Sequence, residues 1–131
     1  MNQDIKQRWI DALRSGQYQQ GIYCLRDAQD RFCCLGVLCD LYVKDNAELD
    51  SGACWEQGSG GDDFEYCLHD RAGVLPEEVK EWAELHMKNP FVRPPDPLAD
   101  PLDHPLTSLA SLNDTGRMTF DDIATVIEEQ L

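Results

Sequence analysis

No stretch of this sequence approaches the roughly 20 consecutive apolar residues of a membrane-spanning helix. The amino terminus, Met1-Asn2-Gln3-Asp4-Ile5-Lys6, lacks the basic start and apolar segment of a secretory leader. The chain is therefore expected to stay in the cytosol and to make no contact with a membrane. Positive charge is scarce. Eleven Lys and Arg stand against 25 Asp and Glu, a formal net charge of -14 with a pI near 4.3. A surface of that sign repels phosphates at long range, which argues against direct nucleic-acid binding. Phosphate-cradling loops are missing: Gly58-Ser59-Gly60-Gly61 runs into Asp62 and Asp63, not into Lys followed by Ser or Thr. Serine-triad, HExxH and dinucleotide signatures are absent as well.

What remains is a chain of 131 residues, 42% hydrophobic, with mean hydropathy -0.48. That suits one soluble domain over residues 1–131. One long apolar run organises it, Phe32-Cys33-Cys34-Leu35-Gly36-Val37-Leu38-Cys39-Asp40-Leu41-Tyr42. The spacing of Leu35, Leu38 and Tyr42 predicts a buried central helix from Cys34 to Val43. Gly36 weakens such a helix, and its usual benefit is close approach of a neighbouring backbone.

Elsewhere, Ile5, Trp9, Ala12 and Leu13 predict a helix over 3–15 capped by Gly16. Gly21-Ile22-Tyr23-Cys24-Leu25 has strand composition, with Arg31-Phe32-Cys33 returning antiparallel after a turn at Asp27–Asp30. Residues 44–64 form an acidic, glycine-rich loop, and Phe64–Leu68 is a third candidate strand with a partner near Trp55. A helix is predicted from Pro76 to about residue 87, with Val79, Trp82, Ala83 and His86 on its apolar face. Six prolines between Pro90 and Pro105 exclude regular structure there, leaving a surface loop over 91–105. Leu106–Leu112 suggests a helical turn and Asn113-Asp114-Thr115-Gly116 a tight turn. Thr119 with Asp122 forms a capping box for a final helix. The expected fold is α+β, about four helices around the central one with a small antiparallel sheet.

Six cysteines invite three chemistries. Disulfides are disfavoured in a reducing cytosol. A Cys34 nucleophile at a helix start lacks a patterned base among His69, His86 and His104. A zinc site would have to join Cys54, Cys67 and His69, since no Cys-x-x-Cys pair exists. Packed thiols are the simpler account. A calcium loop at Ser111, Asn113, Thr115 and Asp122 lacks its first Asp and final Glu. No catalytic residue, metal or cofactor is therefore assigned. Acidic residues at Glu77, Glu78, Glu81 and Glu84, and at Asp121, Asp122, Glu128 and Glu129, raise the alternative of a DNA mimic that inhibits a host nucleic-acid-binding protein.

Several motifs occur together: Trp9-x-x-Ala12-Leu13-Arg14-Ser15-Gly16-Gln17-Tyr18-x-Gln20, then Cys33-Cys34-Leu35-Gly36-Val37-Leu38-Cys39-Asp40, Leu75-Pro76-x-x-Val79-x-x-Trp82, Asn89-Pro90 and Leu112-Asn113-Asp114-x-Gly116 followed by Phe120, Ile123 and Ala124. In this order they resemble a group of small proteins encoded by tailed bacteriophages and prophages. The resemblance implies a non-enzymatic accessory binding protein in the bacterial cytoplasm. Its role would be counter-defence, by binding a host protein or sequestering a small nucleotide-like ligand. Candidate binding residues are Arg14, Gln17, Tyr18, Gln20, Asp40, Trp55, Asn89, Asn113 and Asp114. A thiol- or zinc-dependent enzyme is the third alternative, and self-association stays open.

Overall fold

Charge-free sequence from Phe32 to Cys39 leaves the chain no solvent-facing side there, so it becomes the centre of the core. The computed structural model describes residues 1–46, 55–57, 65–67, 73–93, 107–115 and 118–131. Helix α2 (Cys34–Asn46) buries every residue from Cys34 to Cys39. It runs three residues beyond the expected Val43. Gly36 sits against the backbone of Leu25: a Cβ there would lie 1.7 Å from the Leu25 carbonyl oxygen. The close approach anticipated from the sequence is thus real, and it places Leu25 directly on the helix.

Helix α1 (Gln3–Arg14) starts at Asn2, whose side chain accepts from the amides of Asp4 and Ile5. Gly16 follows at φ +76°, the left-handed stop expected of it. The buried face of α1 carries Ile5, Trp9, Ile10 and Leu13, and the Trp9 indole donates to the Cys34 carbonyl at 2.9 Å. Helix α5 (Phe120–Gln130) packs beside it through Ile123, Ala124, Val126 and Ile127. Its Thr119–Asp122 capping box forms as the sequence indicates.

The strands are short. β1 (Gln19–Gln20), β2 (Arg26–Asp27), β3 (Arg31–Phe32), β4 (Glu56–Gln57) and β5 (Glu65–Cys67) form one sheet in the order β1-β3-β2-β5-β4. All pairs are antiparallel except β1 with β3. The return strand at Arg31–Phe32 and the pairing of β5 with a strand beside Trp55 were expected, but the hairpin partner of β3 is Arg26–Asp27, which overlaps the expected turn. A strand at Gly21–Leu25 was expected and is absent. The chain there is irregular, because its two ends are held by different elements, Gly21 by Asn113 and Leu25 by the face of Gly36.

Three further expectations change. Helix α3 (Glu77–Trp82) ends five residues before the expected end at residue 87. The Ala83 carbonyl is taken by the Asn2 amide at 2.9 Å and Glu84 turns left-handed, which leaves His86 in solvent. Within the proline-rich segment, β6 (Phe91–Val92) pairs with β7 (Thr107–Ser108), fitted between Pro90 and Pro94 where no proline interrupts the ladder. Residues 94–106 lie outside the described residues. Asn113 and Asp114 close helix α4 (Leu109–Asp114) instead of forming a turn, because their side chains bond to distant backbone. The result is an α+β fold of five helices and two small sheets among the described residues. None of these helices is long and apolar enough to cross a membrane.

Gly36→Ala is expected to destabilise the protein by about 3 kcal/mol, the upper part of the range for overpacking, because the obstructing atom is backbone. Urea denaturation monitored by tryptophan fluorescence checks this; an unchanged midpoint would mean that the Leu25 segment yields freely.

Candidate functional site

The predicted site residues fall into three groups. Asn113 is fully buried and uses all four of its hydrogen-bonding capacities. Its Oδ1 accepts from the Cys34 amide at 3.2 Å and from Gln20 Nε2 at 3.1 Å. Its Nδ2 donates to the Gly21 carbonyl at 2.8 Å and to Asp114 Oδ1 at 3.2 Å. Gln20 Nε2 also donates to the Met118 carbonyl, and Asp114 Oδ1 accepts the Tyr23 amide at 2.9 Å. Gln20, Asn113 and Asp114 therefore come together, as a brace and not as an open surface. Asn113 points inward, so it cannot serve as a calcium-loop ligand.

A second group gathers on the sheet side of α2. The Tyr18 hydroxyl donates to Asp40 Oδ2 at 2.5 Å, the Trp55 indole donates to Asp40 Oδ1 at 3.1 Å, and Lys44 Nζ lies 3.1 Å from both Asp40 and the Tyr18 oxygen. Tyr18 and Trp55 each meet Phe32 edge-on, at 5.1 and 6.0 Å. The Arg26 guanidinium lies over both Phe32 and Trp55 while pairing with Asp30. Partial burial, followed by the bond to Asp40, raises the Tyr18 pKa, so the phenol stays a proton donor at neutral pH. Its hydrogen bond to Tyr18 and then that to Asp40 raise the Lys44 pKa.

The remaining candidates separate. Arg14 ties α1 to α5 through Glu128 at 2.8 Å, Asp121 at 3.5 Å and the Thr125 hydroxyl. Asn89 Oδ1 accepts the Ala110 amide. Gln17 is exposed, and its own amide bonds Ser15. The acidic rows are interrupted as well: Glu77 is held by Lys80 and Lys88, bonds that lower its pKa.

Sequence reasoning missed Ile22 and Tyr23, which it assigned to a strand. They are 44% and 73% exposed, while the next two residues, Cys24 and Leu25, are buried. Tyr23 has φ +70°, a conformation that costs a non-glycine residue about 1–3 kcal/mol. A strand would have alternated its faces. Two residues out and two in requires a local distortion, and only Gly21 hints at it in the sequence.

The thiols are sealed. Burial pushes Cys33 up to about 12 and Cys34 and Cys39 well above 9. The Cys34 Sγ donates to the Leu109 carbonyl at 3.6 Å, so it has no thiolate character to offer a substrate. Cys54 and His69 of the conjectured zinc site lie outside the described residues, as does the side chain of Cys67. Among the described residues no group of three or more His, Cys, Asp or Glu is placed to hold a metal.

Fold and side-chain arrangement define a small α+β protein with a sealed thiol core and an exposed aromatic tip. The chain belongs to the family described as domain of unknown function DUF8296, whose model matches residues 1–131. No curated protein and no solved structure matches it.

Three outcomes follow for this region. In a Cys54→Ser/Cys67→Ser variant, the four remaining thiols should resist Ellman's reagent at pH 8 and all react in denaturant. Because native Cys33, Cys34 and Cys39 keep protons that the unfolded chain releases above its ordinary value of 9, stability should fall as pH rises from about 9 through about 12; rapid native-state labelling would contradict both. Asn113→Ala should cost about 3 kcal/mol, since it leaves the Cys34 amide and the Gly21 carbonyl buried without partners. Thermal unfolding measures it, and a loss under 1 kcal/mol would contradict the brace.

Proposed function

We propose that this chain is a non-enzymatic accessory binding protein of the phage type, acting in the bacterial cytoplasm by engaging a host protein through Ile22 and Tyr23. One observation carries the reading: Tyr23 stands 73% exposed in a left-handed conformation, its amide held by Asp114. A strained conformation persists only where its surroundings over-determine it. Here the surroundings are the Asn113 brace. Tyrosine offers a large contact area at low entropic cost, and a preorganised loop lowers the ordering cost of binding. The resemblance to phage-encoded proteins supports the setting, and counter-defence is the role we place within it.

Sequestration of a small nucleotide-like ligand has less support. Among its candidate contacts, Gln20, Asn113 and Asp114 already bond one another, and both Asp40 oxygens are taken by Tyr18 and Trp55. A net charge of -14 favours a basic partner and speeds encounter with it.

Photocrosslinking tests this directly. With p-benzoylphenylalanine in place of Tyr23, one host protein should crosslink in infected-cell extract, whereas the same probe in place of Gln7 on α1 should not capture it. Ile22→Ser/Tyr23→Ser should reduce co-purification of that protein roughly tenfold or more at unchanged melting temperature. Undiminished co-purification by the double variant would rule the reading out.

A further inference from the structure

A groove of ≈310 Å³ opens where the segment after α3 meets the two chain ends. Leu85, Met87, Pro90, Phe91 and Leu131 supply its apolar lining, together with Met1. Met87 and Phe91 are 43% and 50% exposed, although both sit beside well-packed neighbours such as Leu85 and Val92. Such side chains lose little by being covered and gain about 25 cal/mol for each Å² removed from water.

The rim carries one oddity. Glu84 occupies the position just past the end of α3, at φ +58°, where the Leu85 amide reaches back to the Lys80 carbonyl at 3.0 Å. Glycine is the usual residue at such a left-handed stop. A carboxylate also opposes the negative end of the helix dipole. Glu84 is therefore doubly unfavourable for the fold, and it has no ion pair or side-chain hydrogen bond among the described residues. The other polar side chains at the rim are His86 and Gln130. Gln130 is committed at both ends of its amide to the backbone of Arg93, at 2.8 and 2.9 Å. Local rules broken without compensation among the described residues point to a use in binding.

We infer that this groove docks a protein segment in which an apolar side chain is flanked by a lysine or arginine, the apolar group filling the groove and the cation pairing with Glu84. The charge balance agrees: the chain carries 25 acidic and 11 basic residues, so it meets basic partners preferentially. This surface is additional to the Ile22–Tyr23 tip, and its test does not depend on that reading.

The probe is a fluorescein-labelled peptide of alternating leucine and arginine, measured by fluorescence anisotropy. Peptides alternating leucine with glutamate, and serine with arginine, serve as controls. The leucine–arginine peptide should bind at least roughly tenfold more tightly than either control, and Phe91→Ser should abolish the difference. Glu84→Gly should raise the melting temperature by about 3–6 °C while weakening the peptide about tenfold. Glu78→Gln, the same change of charge on the exposed side of α3, should leave binding unchanged. The inference is overturned if the leucine–arginine peptide does not bind, if the serine–arginine peptide binds equally well, if Glu84→Gly binds like the wild type, or if that variant is less stable.

Discussion

Asn113 is the constraint on which the surrounding structure depends. A buried carboxamide must find partners for two donors and two acceptor sites, or cost more than it contributes. Here the partners come from four places: the amide that opens α2, the side chain of β1, the carbonyl before the Ile22–Tyr23 tip and the neighbouring Asp114. Each of these bonds fixes a position as well as an energy. The start of the central helix, the edge of the sheet and the end of α4 are set relative to one another by one side chain. Asp114 extends the same network outward to the Tyr23 amide.

The second constraint is steric. The carbonyl of Leu25 lies where any side chain at residue 36 would be. Between the brace at Gly21 and this contact at Leu25, the chain has no freedom to lie flat as a strand. It bulges outward, and Ile22 and Tyr23 are what it exposes. The tip is thus a consequence of two rigid attachments, and its strain is offset by the interactions at each end. At the groove the relation is reversed: Glu84 departs from what its helix terminus favours, and nothing among the described residues compensates for it.

Much of the fold was legible in the residues. Helical spacing of Ile5, Trp9 and Leu13 located α1, Thr119 with Asp122 located the start of α5, and the charge-free run located the core helix. These are signals in which one local preference and one buried face agree. The failures have a common cause. The end of α3 was placed at residue 87 because the apolar spacing continues, but the Asn2 amide claims the Ala83 carbonyl from across the molecule. Asn113 and Asp114 read as turn residues because that is what such side chains do locally. Here their hydrogen bonds go to residues about 80 or more positions away, at Cys34, Gly21 and Tyr23.

The candidate site shows the same division. Tyr18, Asp40 and Trp55 do assemble, as do Gln20, Asn113 and Asp114, yet Arg14 and Asn89 serve as clamps elsewhere. By itself the sequence determined composition-level properties: an acidic surface, a core centred on Cys34–Cys39, and thiols placed among apolar neighbours. These depend on residue type and on periods shorter than one element. Only the tertiary structure decided which polar groups are consumed internally and which apolar groups are left outside. That distribution is set by hydrogen bonds and contacts between residues far apart in the chain, and no local pattern records them.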